Sequence, residues 1–327
     1  MTAKPLPVEY QAALEGVAWY EIPHPGCLSI RDRDRASYLQ RQTTHDINLF
    51  AGNRGLPTIL TSPNARILDA LYLVPGPEDA ILALTLPGQG ARTNAYFNKR
   101  IFFMDQVTVE DRSTAYAQID LVGPCRADIL AELGFSQPPE VDEILTTEWE
   151  GQPVYLLSNS APLWIGWRLL IPAVVLPGVR KKLEMIGTAR LTDEIYHLLH
   201  IESGTPQAVS ELNEDFTPLE TGLQAAISES KGCYTGQEVI ARQITYDKVT
   251  QRLSGLYFSQ LPMPGNAIWL TGKTVGKVTS TGISPRFGPI GLAMIKRPHF
   301  EPGTLVQVGD QSTQAQEARV CSLPFQL

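Results

Sequence analysis

Hydrophobic and polar positions alternate most cleanly from Ala115 to Leu121. Ala115, Ala117, Ile119 and Leu121 share one face, and Tyr116, Gln118 and Asp120 share the other. A period of two over seven residues predicts a half-buried strand. Shorter apolar runs predict strands over residues 28–30, 56–61, 66–74, 80–86, 154–157 and 164–171, with another around Val107 and Val109. Helical spacing with start and stop residues predicts six helices in the first 202 residues. One over 8–14 is closed by Gly16, one over 32–42 is capped by Asp32, and one up to Arg100 follows Pro87-Gly88-Gln89-Gly90. Another runs from Gly123-Pro124 to Leu133, a fifth covers 177–186, and the last is capped by Thr192 and reaches Glu202. From about Arg252 the texture changes. Short apolar runs are punctuated by Pro262, Pro264, Gly265, Gly272, Gly276, Gly282, Pro285 and Gly288, which predicts a small all-β barrel.

Composition narrows the class. The chain has 327 residues, too many for one small core, so two or three packed units are expected. Hydrophobic residues make up 43% and charged residues 19%, the balance of an ordinary globular protein. A net charge of -7 argues against broad nucleic-acid binding. The sequence contains no apolar run long enough to cross a membrane. The opening Met1-Thr2-Ala3-Lys4-Pro5-Leu6-Pro7 lacks the apolar core of a signal peptide. Cys27, Cys125, Cys233 and Cys321 lie far apart with no Cys-x-x-Cys pair, which fits reduced thiols in a cytoplasm and disfavours a zinc knuckle.

The densest chemical signal is Lys231-Gly232-Cys233-Tyr234-Thr235-Gly236-Gln237-Glu238. An apolar-periodic run from Gly236 predicts a helix start, with Glu238 in the first turn. Cys233 would then lie just ahead of a helix N-terminus with the Lys231 ammonium near it, and both effects favour thiolate. Gly232 and Gly236 allow a tight bend that leaves the sulfur uncovered. The competing reading makes Cys233 a small buried residue in a turn.

Other patterns carry less. Gly272-Lys273-Thr274 lacks the glycine five residues earlier that a phosphate loop needs; that residue is Ala267. Gly88-Gln89-Gly90 lacks the third glycine of a dinucleotide fingerprint, Thr93 standing there. His197 and His200 are three apart on a predicted helix but have no third ligand at hand, so no metal site is assigned. His24 and Cys27 flank Pro25-Gly26, most simply a turn.

The Lys231–Glu238 octapeptide resembles the signature of the YgfZ family, folate-binding relatives of the glycine cleavage T-protein. Further stretches are similar to that superfamily: Leu28 to Gln40, Thr44-His45-Asp46-Ile47, Ile201-Glu202-Ser203-Gly204-Thr205-Pro206, Phe216 to Leu223, and Gly276 to Ala293. The resemblance implies an α+β fold of two related, interleaved units enclosing a folate pocket over residues 1–250, followed by an antiparallel β-barrel over 251–327. It implies tetrahydrofolate or a derivative as cofactor, with Asp69, Glu202, Glu220 and Gln237 at the pterin and Trp167 beside it. Arg242, Lys248 and Arg252 are candidates for a folate carboxylate or a polyanionic partner.

The same resemblance implies a folate-dependent accessory protein for iron-sulfur cluster assembly or repair, with iron-sulfur assembly or client proteins as partners. Cys233 would be its working thiolate, as cluster ligand, redox thiol or one-carbon acceptor, and Lys231 would lower the thiol pKa. The alternative is a tetrahydrofolate-dependent aminomethyl or one-carbon transferase, with Asp69 as the catalytic carboxylate. A third reading is a structural partner of an iron-sulfur scaffold protein. Three departures from the T-protein pattern count against lipoyl-arm aminomethyl transfer. Leu68 replaces one of an adjacent acid pair, His200 stands at an arginine position, and Arg168, an obligate donor, stands where an acidic acceptor grips the pterin.

Overall fold

The computed structural model describes residues 6–309 and 315–326; Met1 to Pro5 of the opening stretch lie outside the described residues. The chain divides into two compact units, Met1–Thr192 with Ala225–Gln237, and Asp193–Gln224 with Glu238–Leu327.

The first unit begins with α1 (Val8–Glu15), β1 (Ala18–Glu21), β2 (Gly26–Arg31) and α2 (Arg35–Gln42). The strands β3 (Leu56–Thr61), β4 (Ile67–Pro75) and β5 (Ile81–Thr85) follow, then α3 (Gly90–Asn98), β6 (Thr108–Asp111) and β7 (Tyr116–Val122). It continues through β8 (Ile144–Trp149), β9 (Gln152–Leu157), β10 (Trp167–Pro172), α4 (Leu176–Met185) and β11 (Ala189–Arg190). Two sheets result. One has the order β3-β4-β5-β2-β6 and the other β11-β1-β7-β10-β9-β8. The N-terminal β1 therefore belongs with strands laid down a hundred residues later, pairing antiparallel to β7 and parallel to β11. The first sheet packs Leu28, Ile30, Leu60, Leu71 and Leu73 against Tyr38 and Leu39 of α2 and Phe97 of α3. The second packs Ile119, Leu121, Leu156 and Leu169 against Val179 and Leu183 of α4.

The second unit contains α5 (Asp193–Ser203), most of α6 (Gln237–Thr245), and β12 (Gln251–Phe258), β13 (Ala267–Leu270), β14 (Lys273–Ser284), β15 (Gly288–Lys296), β16 (Leu305–Val308) and β17 (Gln316–Cys321). These six strands close into an antiparallel barrel in the order β12-β15-β14-β13-β16-β17, so no open sheet edge remains. Its interior is filled by Leu256, Phe258, Ile268, Val278, Ile295, Val306 and Val320.

The structure corrects several local expectations. The alternating strand β7 is buried on both faces, not one. Its polar residues are covered because their groups are satisfied: Arg168 donates to both carboxylate oxygens of Asp120, at 2.6 and 2.9 Å, and to Gln118 Oε1 at 3.0 Å. Asp32 does not cap α2. It adopts φ 75°, accepts a hydrogen bond from the Thr108 hydroxyl, and the helix begins only at Arg35. Residues 124–133 form two short 3₁₀ turns, Pro124–Ala127 and Ala131–Leu133, instead of one helix. Strand β10 starts at Trp167 because Gly166 has φ +74°, and a Cβ there would lie 2.1 Å from the Leu121 carbonyl oxygen. Strand β8 has no counterpart in the apolar pattern, since its Thr146, Thr147 and Glu148 interrupt it.

Candidate functional site

The signature octapeptide forms a loop fixed at both ends within the first unit. At its start, Lys231 is buried, and its Nζ donates to the backbone carbonyls of Thr43 and His45, both at 2.7 Å. Thr43 is the residue that ends α2, so the ammonium sits at the negative end of that helix and satisfies a carbonyl the helix leaves over. The Tyr234 ring lies 5.1 Å from the same ammonium and is itself buried. Burial pulls the Lys231 pKa down to about 8, with Asp46 opposing the shift.

At its other end, Thr235 accepts a hydrogen bond from the Thr61 hydroxyl at 2.6 Å. Gly236 then takes φ +86° and lies so close to the β3–β4 turn that a Cβ would come within 2.7 Å of the Ser62 carbonyl oxygen. Helix α6 begins at the next residue. Gln237 donates from Nε2 to the Lys231 carbonyl at 3.4 Å, closing the loop on itself. Between these anchors Gly232 and Cys233 are exposed. Nothing lies within 4 Å of where a Gly232 Cβ would be.

Lys231 and Cys233 thus part company. The ammonium is turned inward onto two carbonyls, and among the described residues no hydrogen bond joins it to the thiol. Its observed duty is to hold the loop. Thr43 and Thr61 carry no motif signal, and His45 belongs to the Thr44-His45-Asp46-Ile47 stretch; all three fix the loop. Their side chains are ordinary, and the contacts are to backbone carbonyls or from a hydroxyl more than 170 residues away.

Asp69 differs more sharply from expectation. It is completely buried; Oδ1 accepts the Leu86 N–H at 3.0 Å and Oδ2 accepts the Thr93 hydroxyl. Both oxygens therefore tie β4 to the start of α3, and no surface of the carboxylate faces a ligand. Burial pushes its pKa up to about 7, against the lowering effect of those hydrogen bonds. Trp167 also lies in a core, among Trp19, Leu121 and Leu169, with the Arg126 guanidinium 4.4 Å above its ring. Arg168 is held by Asp120 and Gln118 and stacks at 4.4 Å on Trp164.

Glu202, Glu220 and Arg242 belong to the second unit. Glu202 is buried and accepts a hydrogen bond from the Ser284 hydroxyl at 2.6 Å. Glu220 is buried and accepts the Thr217 N–H at 2.8 Å. Arg242 is exposed and pairs with Glu238 one helical turn earlier. His197 Nδ1 lies 3.0 Å from Gln207 Oε1. Of the predicted site residues, the structure brings Lys231, Cys233 and Gln237 together on one loop. It gives Asp69 and Trp167 separate interior positions in the first unit.

The pattern of the GCVT N-terminal domain matches residues 3–231, and that of the glycine cleavage T-protein C-terminal barrel domain matches residues 251–326. The chain belongs to the glycine cleavage T-protein family. Among curated relatives, "Putative transferase At1g60990, chloroplastic" from Arabidopsis thaliana is 33% identical over 300 residues, covering 90% of this chain and 69% of the relative. An aminomethyltransferase from Moorella thermoacetica is 27% identical over 348 residues, covering 98% and 91%. Among solved structures, the glycine cleavage system aminomethyltransferase T from Bartonella henselae superimposes with a TM-score of 0.84 at 19% identity, covering 97% of this chain and 88% of that one. The T-protein-like fold, mixed sheets and helices with a closed six-stranded barrel, is thereby shown for this chain.

Proposed function

We propose that this T-protein family member works as a YgfZ-type accessory protein in iron-sulfur cluster assembly or repair, binds tetrahydrofolate, and uses Cys233 as its working thiol. The observation that carries the reading is the loop itself. Three anchors, at Lys231, Thr235 and Gly236, hold a short segment whose exposed members are Gly232 and Cys233. A merely structural cysteine has no need of such a mount, and free cysteines are ordinarily buried.

The residues of this chain fit a folate in part. When bound, tetrahydrofolate supplies a carrier for one-carbon groups. Gln237 and the exposed Arg242 offer a side-chain amide and a guanidinium of the kinds that meet a pterin or a glutamate tail. Asp69 does not fit as a contact, because both its oxygens are consumed inside the fold. Its part is to fix the approach to α3, and no proton transfer is assigned to it.

A second reading, a one-carbon transferase, is favoured by the near full-length alignment with aminomethyltransferases. It loses its proposed base with Asp69. The Arg168–Asp120 pair also fills the position where that family's resemblance implies a free acidic acceptor. Deletion of the gene tests the first reading. Iron-sulfur enzyme activities should fall in the deletion strain and return with the intact gene, and the purified protein should bind tetrahydrofolate saturably by calorimetry. Normal iron-sulfur enzymes in the deletion strain, together with turnover of methylene-tetrahydrofolate onto an amine acceptor, would favour the transferase instead.

A further inference from the structure

Between α3 and β6 the chain makes a tight turn that carries three large apolar side chains in succession. Phe102, Phe103 and Met104 are 65%, 97% and 72% exposed. The turn is well built: the Asp105 N–H donates to the Phe102 carbonyl at 2.9 Å, and Asp105 Oδ2 accepts the Phe102 N–H at 3.1 Å. Its base is seated by Ile101, which packs against the first sheet's core. These bonds hold the backbone while the three side chains stay largely exposed. Three adjacent exposed apolar residues on one rigid tip form a patch that a globular surface rarely leaves without use.

The shoulders of the tip are basic, in a chain whose net charge is -7. Lys99 is exposed at the end of α3, and the Arg100 guanidinium lies 3.5 Å above the Tyr96 ring. Arg41 pairs with Asp105 at 2.8 Å. Arg33 pairs with Asp34, whose other oxygen accepts the Gln106 N–H. Arg33 and Arg41 are thus paired with Asp34 and Asp105, Asp32 lies beside them on the Thr108 hydroxyl, and Lys99 and Arg100 supply the remaining positive charge at the tip.

We infer that this turn is a membrane-surface contact, with Phe102, Phe103 and Met104 entering the headgroup boundary of an anionic bilayer while the flanking arginines and lysine meet lipid phosphates. Charge and size favour a bilayer over a protein. Each aromatic ring buries roughly 150–250 Å². Three side chains of this size offer roughly 450–750 Å², below the about 800 Å² that each partner contributes to a typical stable protein interface. Membrane association has no such threshold. It grows with each inserted apolar side chain and each cation near the surface. Among the described residues no helix is long and apolar enough to span a membrane, so the contact is peripheral. The expectation of no membrane partner rested on spanning segments and does not bear on an inserted turn.

Sedimentation of the full chain with phosphatidylglycerol–phosphatidylcholine vesicles tests this. The intact protein should pellet with the vesicles, and more weakly as salt rises. Phe103→Ser should weaken partitioning roughly tenfold or more, and Lys99→Gln about fivefold. Met263→Ser, at an apolar residue of the second unit about as exposed as Met104, should change nothing. No pelleting at millimolar lipid would overturn the inference. So would pelleting that survives Phe103→Ser, which would reduce the contact to charge alone. A tip made for a protein pocket would appear as no vesicle binding by the intact chain together with loss of cellular function in Phe103→Ser, and that result also overturns it.

Discussion

Two thiols of the first unit stand in opposite surroundings. Cys27 lies within β2, fully buried, and burial with Asp111 nearby pushes its pKa up to about 12. Cys233 stands exposed on a loop pinned at Lys231, Thr235 and Gly236. The side chain is the same, and the backbone around it decides its use. A strand supplies apolar neighbours and removes water. A short loop with anchored ends presents the sulfur and limits its wandering. Reactivity of this kind is therefore a property of how the flanking residues are held.

The largest effect expected from this contrast is chemical. Iodoacetamide at pH 7.5 should alkylate Cys233 at least about 100-fold faster than Cys27 in the native protein, because a thiol held near 12 carries almost no thiolate. Peptide mass mapping over time checks it. Comparable rates would mean that β2 opens readily and that the contrast is not real in solution.

The next largest effect attacks the buried side. Gln118, one of the acceptors for Arg168, donates from Nε2 to the Gly26 carbonyl beside Cys27. Arg168→Met would leave Asp120 buried without its bidentate cation, at a cost of about 3–5 kcal/mol. Urea denaturation should show that loss, and Cys27 alkylation should quicken while Cys233 alkylation stays the same.

A smaller loss is expected on the exposed side. Lys231→Met removes the donor for the Thr43 and His45 carbonyls, worth about 1–3 kcal/mol. Cleavage by chymotrypsin after Tyr234, buried in the intact protein, should accelerate, with Cys27 alkylation unaffected. The lowered Lys231 pKa adds a pH signature. The folded state binds this proton less tightly than the unfolded chain, so the group costs stability below about 8, and that cost fades as pH rises toward 10.5. Lys231→Met should remove that rise.

The last effect is a slope. Asp69 has its folded pKa raised from 3.8 to about 7, so its contribution is fully present below about 4 and is lost as pH climbs through 7. Asp69→Asn can still accept the Leu86 N–H and can donate to Thr93 Oγ1. Thermal denaturation of this variant should show a flatter stability profile between pH 4 and 7 than the intact protein.

Much of the fold was legible because burial imposes periods on the sequence. The apolar runs at β3 and β4 and the break at Gly16 were local signals, and the barrel announced itself through short strands and frequent glycine and proline. The double burial of β7 was hidden, because Gln118 and Asp120 read as a solvated face until Arg168, some fifty residues later, is seen to satisfy them. The loop was legible in its glycines and its helix start at Gln237. The anchoring role of Lys231 was hidden for a related reason: its hydrogen-bond partners lie nearly 190 residues away. Asp69 was misread because Leu68 and Ala70 leave the strand's facing ambiguous, and Leu86 and Thr93 decide it.

The central claim is that Cys233 is the working thiol, and one measurement addresses it most directly. A strain lacking the gene would be complemented in turn with Cys27→Ala, Cys125→Ala, Cys233→Ala and Cys321→Ala, with iron-sulfur enzyme activity and protein level measured for each. The account predicts that Cys233→Ala accumulates to the normal level and melts normally yet fails to restore activity, while the other three restore it whenever they fold. Full restoration by Cys233→Ala would contradict the account.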